Sequence, residues 1–280
     1  MRLAVVVATP EVEPMPPVAL LSGGFEERLG KAARLGFQGV ELMCTHPTRL
    51  DQESLQRQLE RRGLEVPAIG TGALFANEGL SLLHEREQVR QAAQERAREL
   101  VDFAARLGAL VTIGSFRGRA AFVGDAEVGR RALAEALGEL AGYGARQGVR
   151  LALEPLNRYE ADLFNTAAEA LAFVESLGCD NVGLLLDTFH VNIEEAEIGG
   201  AVRLAAPRLW HVHLGDSNRH PPGQGHFNFV QFVDVLREMG YDGYFSAELL
   251  ARPDPDEAAR LTYQYMKPLL EGRSSRSSEC

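Results

Sequence analysis

Six times along this chain a helical pattern runs into a glycine, and a short apolar or β-branched segment follows almost at once. The glycines are Gly36, Gly63, Gly108, Gly148, Gly178 and Gly240. Glycine tolerates the left-handed conformation that closes a helix C-terminus, so each one punctuates a helix before a strand. The segments that follow are residues 39–43, 66–71, 110–114, 150–153, 182–186 and 244–247. The helices themselves show in the spacing: Val89, Ala93, Ala97, Leu100, Ala104 and Leu107 share one face, as do Leu133, Leu137, Leu140 and Gly144. With residues 3–8 at the start and 209–214 after Pro207, eight strands alternate with helices, roughly 35 residues per unit. Right-handed crossovers then leave an open doubly wound sheet or a closed barrel. A doubly wound sheet would carry a glycine-rich phosphate fingerprint after its first strand. Residues 9–17 are instead proline-rich, so the expected fold is α/β, a (β/α)8 TIM barrel. It forms a single domain over residues 1–270, followed by a disordered Ser/Arg-rich tail at 271–280.

Composition narrows the function classes. Of 280 residues, 45% are hydrophobic and 24% charged, a balance suited to a globular core. The net charge of −10 argues against nucleic acid as a partner. No apolar run is long enough to span a membrane, and residues 3–8 are too short and too soon interrupted for a signal peptide. Cys44, Cys179 and Cys280 form no CxxC pair, which points to a reducing cytoplasm and inert thiols.

In a barrel of this kind the chemistry sits where strands end. Strand five runs into Glu154, strand six into Asp187, strand seven carries His211 and His213, and strand eight runs into Glu248. Four consecutive strands thus deliver a metal-competent side chain to one rim. Converging carboxylates repel one another unless a cation joins them. We therefore expect Glu154, Asp187, His213 and Glu248 to form one divalent-metal site, with Mn²⁺ the first choice and Mg²⁺ or Co²⁺ alternatives. His211, on the same strand face but deeper, is expected to be a hydrogen-bonded core histidine.

The segments Glu154-Pro-Leu-Asn-Arg-Tyr-Glu160, Leu186-Asp187-Thr-Phe-His190 and His211-Val-His-Leu-Gly-Asp-Ser-Asn-Arg219 strongly resemble the xylose isomerase-like sugar epimerases, of which the D-tagatose 3-epimerase group is the best-known branch. In the first half, Ala68-Ile-Gly-Thr-Gly72, Gly79-Leu-Ser-Leu-Leu-His84 and Ile113-Gly-Ser-Phe-Arg-Gly-Arg119, with Pro221-Pro-Gly-Gln-Gly-His226-Phe later, look like the 5-keto-L-gluconate epimerases. The resemblance implies that Glu154 and Glu248 double as the acid–base pair, and that Glu160, His190 and Arg219 hold substrate hydroxyls and help polarise its carbonyl. It also implies a homo-dimer or homo-tetramer and a small-molecule sugar or sugar acid as substrate.

Epimerisation next to a ketone needs a proton removed from one face and returned to the other, through a metal-stabilised cis-enediolate. The expected substrate is a keto-hexuronate of the 5-keto-L-gluconate or D-tagaturonate type. The alternative is a ketose 3-epimerase or aldose–ketose isomerase acting on neutral or phosphorylated sugars. An inosose dehydratase, a hydroxypyruvate isomerase, a non-catalytic sugar binder and an endonuclease IV-like metal nuclease stand further off. Arg117 and Arg119, after strand four, either pair with a substrate acid group or are solvated. Glu41 either faces the site or pairs with a nearby Arg or Lys. Gly70 and Gly72 offer room for close substrate approach, and the loop 11–21 is a possible border of the site. His84, His220 and His226 are expected in solvent.

Overall fold

All six helix-closing glycines take positive φ, between 63° and 99°, and each is followed by a strand. In the computed structural model, which describes residues 1–272, the strands are β1 (Arg2–Ala8), β2 (Gly39–Met43), β3 (Ala68–Gly70), β4 (Leu110–Ile113), β5 (Leu151–Leu153), β6 (Val182–Asp187), β7 (Leu209–Leu214) and β8 (Tyr244–Ala247). They close into a barrel in sequence order, every pair parallel, with β8 returning to β1. The chain is a (β/α)8 TIM barrel. β3 is shorter than the expected 66–71 because Pro67 has no N–H to donate to a ladder. Of the expected tail, residues 273–280 lie outside the described residues.

Side chains alternate along each strand, and the alternation sorts two environments. Val5, Val7, Val40, Leu42, Ile69, Val111, Ile113, Leu151 and Leu153 join one large core with the surrounding helices, through residues such as Leu29, Leu59, Ala97, Leu100 and Leu137. The alternate residues face the barrel interior, and many of them are small or polar: Val6, Ala8, Glu41, Ala68, Thr112 and Ala152, all buried. Polar side chains therefore belong to the interior by register.

One irregularity sets the register at the site. β6 pairs Leu184 with Leu209 and then Leu185 with His211, skipping Trp210. This bulge lets Trp210 pack on the interior cluster of Ala68, Leu110, Ala152 and Leu185, while His211 and His213 remain inside.

Candidate active site

Glu154 follows the last residue of β5, Asp187 ends β6, His213 lies near the end of β7 and Glu248 follows β8. Parallel pairing carries all four to the same mouth, where none is more than 9% exposed. One ligand atom from each lies within 4.8 Å of the others. His213 Nδ1 stands 3.6 Å from Glu154 Oε1 and 3.4 Å from Glu248 Oε2. Glu154 Oε1, Asp187 Oδ2 and His213 Nδ1 are buried and have no hydrogen-bond partner. Leaving such atoms unpaired is costly, and three carboxylates around one imidazole worsen it. An oxygen-rich donor set with orphaned atoms converging on one point fits a divalent cation.

The electrostatics carry the mark of that crowding. Burial pushes the Glu154 carboxyl up. Burial, with Glu154 and Glu248 nearby, also pushes Asp187 up to about 7 against the opposing Arg219 charge. For Glu248 burial is outweighed by His213 and Arg219, which hold it at about 2. His213 is raised well above its ordinary value, because Glu41 and Glu248 overcome the cost of burial.

A second ring surrounds the four. The short helix Thr188–Glu194 begins on Asp187 itself, whose side chain accepts from the Phe189 N–H, and so brings His190 back over the mouth. The backbone N–H of Asn157 (3.3 Å) and its side-chain amide (2.8 Å) both point at His190 Nδ1. Burial, followed by the Arg219 charge, keeps His190 neutral. With Nδ1 accepting, the proton belongs on Nε2, an orphaned atom 3.8 Å from both Glu154 Oε1 and Asp187 Oδ2. Arg219, at a φ of 60° rare for a non-glycine, donates to Glu248 Oε2 at 3.1 Å and to Glu160 Oε1 at 3.2 Å. Its guanidinium lies over the Phe189 ring at 5.0 Å. Asn157 closes the ring by donating to Glu160 at 2.9 Å.

Sequence reasoning passed over two features here. Asn157 sits inside the quoted Glu154–Glu160 motif, but nothing in the pattern distinguished it from a solvated loop amide. Gly114 follows β4, and a Cβ there would collide with the Glu154 carboxylate. Its signal was a glycine where a strand ends, at a rim that crowds an acid.

Arg117 corrects the expectation for the strand-four loop. It is neither solvated nor open to a substrate acid group. The residue is fully buried, and its guanidinium donates to the carbonyls of Glu154 (2.5 Å), Leu163 (2.9 Å) and Gly114 (3.5 Å). The 3₁₀ turn Ser115–Arg117 directs it inward, so it braces the backbone that carries Glu154. Arg119 is partly exposed, and its side chain has no hydrogen-bond or ion-pair partner among the described residues.

Glu41 faces the interior, and its partners are two histidines rather than Arg or Lys. His211 is the expected buried core histidine, 1% exposed. Gly70 gives room to Met43 and Glu41 inside the barrel, and Gly72 starts the helix Gly72–Glu78. In the loop 11–21, Glu11 accepts from the Cys44 thiol and the Thr45 and His46 N–H groups, fastening the loop to the end of β2. His84 and His220 are partly buried and His226 is exposed.

The comparisons agree with this fold. A family profile described as Xylose isomerase-like TIM barrel matches residues 29–269. The chain belongs to that family. It is 32% identical to a D-psicose 3-epimerase of Agrobacterium fabrum over 79% of this chain and 78% of that protein. Similarity to an L-ribulose 3-epimerase of Mesorhizobium japonicum reaches 45% identity, over 44% of this chain and 41% of that protein. A solved L-ribulose 3-epimerase superposes with a TM-score of 0.81 at 27% identity, covering 99% of each chain. These relatives are epimerases, that is isomerases, and epimerase activity is what the membership supports. Ketose 3-epimerases among the relatives favour the ketose 3-epimerase alternative over the keto-hexuronate expectation. No helix among the described residues is long and apolar enough to cross a membrane.

Proposed function

We propose that this protein is a divalent-metal-dependent ketose 3-epimerase acting on a neutral ketose. The observation that carries the reading is the convergence of Glu154, Asp187, His213 and Glu248, from four consecutive strands, with three buried atoms left unpartnered. These four residues would hold the cation, with Mn²⁺ the first choice for so oxygen-rich a set. When bound, it supplies Lewis-acid stabilisation of the negative charge that builds on the ketone oxygen.

The chain's own residues do the rest. Glu154 and Glu248 come from β5 and β8 to within 3.6 and 3.4 Å of His213 Nδ1. One carboxylate takes the C3 proton from one face of the sugar, and the other delivers a proton to the opposite face. In the metal-free protein their environments already differ: burial pushes Glu154 up, whereas His213 and Arg219 hold Glu248 down. His190, neutral with its Nε2–H facing the site, donates to a substrate oxygen. Arg219 and Glu160 form a paired rim for hydroxyls. A buried site of this kind also excludes bulk water from the reacting carbon.

The neutral ketose is favoured over the keto-hexuronate because Arg117, one of the two guanidiniums expected to meet a carboxylate, is engaged elsewhere. Arg117 is spent on backbone carbonyls, and Arg219 already pairs with two acids. Arg119 is the remaining cation of that loop. The nuclease reading needs further ions. Among the described residues the other metal-competent group, Glu41, His211 and His213, is already joined by hydrogen bonds of 2.8–3.1 Å.

The test is solvent-deuterium uptake by NMR, with Mn²⁺-loaded protein offered D-fructose, D-psicose and D-tagatose beside 5-keto-L-gluconate. Deuterium at C3 with the epimer appearing for the neutral sugars is the expected result. Exchange with the acid alone would restore the keto-hexuronate reading, and no exchange with any substrate would end the epimerase reading. Glu154→Gln and Glu248→Gln should each cut turnover about 10³-fold. Intact turnover in either variant would remove that residue from the acid–base pair.

A further inference from the structure

One buried carboxylate plays no part in the chemistry above. Glu41, on β2 inside the barrel, is 0% exposed and has no Lys or Arg partner among the described residues. Both of its oxygens lie 3.1 Å from His213 Nε2, and Oε2 is also 2.8 Å from His211 Nε2. His211 Nε2 is in turn 2.9 Å from Ser246 Oγ. Ser246 stands directly across the β7–β8 ladder from His213. A Cβ on Gly70 would sit 3.4 Å from Glu41 Oε1, so the carboxylate is boxed in on that side too.

We propose that Glu41 is a positioning residue for the metal centre, holding His213 in the tautomer that turns its Nδ1 lone pair toward Glu154, Asp187 and Glu248. This rests on the metal reading above. An ionised carboxylate only accepts, so the His213 nitrogen facing it must carry the hydrogen. The other nitrogen, Nδ1, is the orphaned atom at the mouth, and with a cation in place of its proton it offers its lone pair there. The carboxylate also keeps the ring basic and stops it rotating, as outer partners of metal-ligating histidines do. His211 serves one step further back. By donating to the same oxygen, it prevents Glu41 from swinging away from His213. The chain from Ser246 to His213 is thus a buried row of polar groups at the level just beneath the four ligands.

The experiment measures Mn²⁺ affinity by titration calorimetry, alongside thermal unfolding of the metal-free protein, for wild type, Glu41→Met and Glu41→Gln. Methionine keeps the volume and removes every acceptor, and should weaken Mn²⁺ binding about 10–100-fold. Glutamine keeps one acceptor oxygen and should fall between the two. A residue that only packs the barrel would lower the unfolding temperature in both variants and leave Mn²⁺ affinity unmoved, which would overturn the proposal. A second measurement needs no variant. In ¹⁵N-histidine-labelled, Mg²⁺-loaded wild type, His213 should be protonated at Nε2 and bare at Nδ1, and the reverse pattern would also overturn it. Wild type that bound no Mn²⁺ would take down the metal reading and this one together. Equal binding by wild type and Glu41→Met removes this inference alone.

Discussion

The two ends of the barrel interior solve the same packing problem in opposite ways. At the mouth where the strands end, buried oxygens and a ring nitrogen face one another without partners. At the mouth where the strands begin, Trp210 stacks on Ala68, Leu110, Ala152 and Leu185 and closes the interior with apolar surface. A cavity of about 670 Å³ lies at this second mouth, with Arg2, Arg150, Trp210 and Tyr244 in its wall. Two of its arginines are served: Arg2 pairs with Glu65 at 2.7 Å and lies over the Tyr244 ring, and Arg150 covers the Trp210 ring at 5.1 Å. A cavity therefore marks one end and unmet polar chemistry the other. Chemistry is the better guide, because burying unpaired ionisable groups costs stability that only a function repays.

The sharpest way to break this contrast is to relieve the crowded end. Asp187→Asn removes one of three converging carboxylates. Mn²⁺ binding, read by calorimetry, should fall at least about 100-fold, and turnover should drop to background. The metal-free variant should nevertheless be more stable than metal-free wild type, by about 1 kcal/mol in denaturant melts, since a buried repulsion is gone. A loss of stability would mean that the acids are better satisfied without metal than their geometry implies.

Arg117→Met tests the brace behind Glu154. Stripping the carbonyls of Glu154 and Leu163 of their donor should cost about 3 kcal/mol of stability. Substrate choice between neutral and acidic sugars should stay unchanged. A variant that lost activity on an acid alone would return Arg117 to substrate binding. At the opposite end, Trp210→Ala should cost about 2 kcal/mol through lost packing. Its kcat on the neutral sugars should be unaltered at temperatures where it stays folded.

The pH dependence of metal binding follows from the raised acids. In the metal-free protein Asp187, pushed to about 7, holds a proton as pH falls below that value, and Glu154, also raised, keeps its proton to higher pH than an ordinary carboxyl. The cation must displace them, so apparent Mn²⁺ affinity should weaken toward low pH, about tenfold per unit for each proton released. An affinity flat between pH 5 and 8 would contradict the raised values. The smallest effect belongs to Arg119→Ala, expected to leave kcat/KM for neutral ketoses within about twofold, as for a surface change. A selective loss with 5-keto-L-gluconate would instead mark Arg119 as an acid-binding residue.

Much of this was legible before any coordinates. The eight strands, their order around the barrel and the mouth to which Glu154, Asp187, His213 and Glu248 project all follow from glycine punctuation and strand-end position. His211 was recognisable as a core residue because it shares the inward parity of His213. Arg117 was not, since nothing local separates an arginine that turns under a strand from one that turns into solvent. The Ser115–Arg117 turn and the distant carbonyl of Leu163 decide that. Glu41 was suspected of facing the site, but its histidine partners come from a strand 170 residues away.

Sequence by itself determined what repeats locally: helix, glycine, strand, and an acid or imidazole at the strand's end. These depend on periodicity and on the conformational freedom of single residues, which the chain carries wherever it goes. Only the tertiary structure decided which polar atoms find partners and which are left facing one another. That outcome depends on closure of β8 onto β1, on the bulge at Trp210 and on side chains brought together from opposite ends of the chain. Hydrogen-bond satisfaction belongs to the assembled interior, and at this barrel's mouth the unsatisfied atoms are where a cation and a sugar would bind.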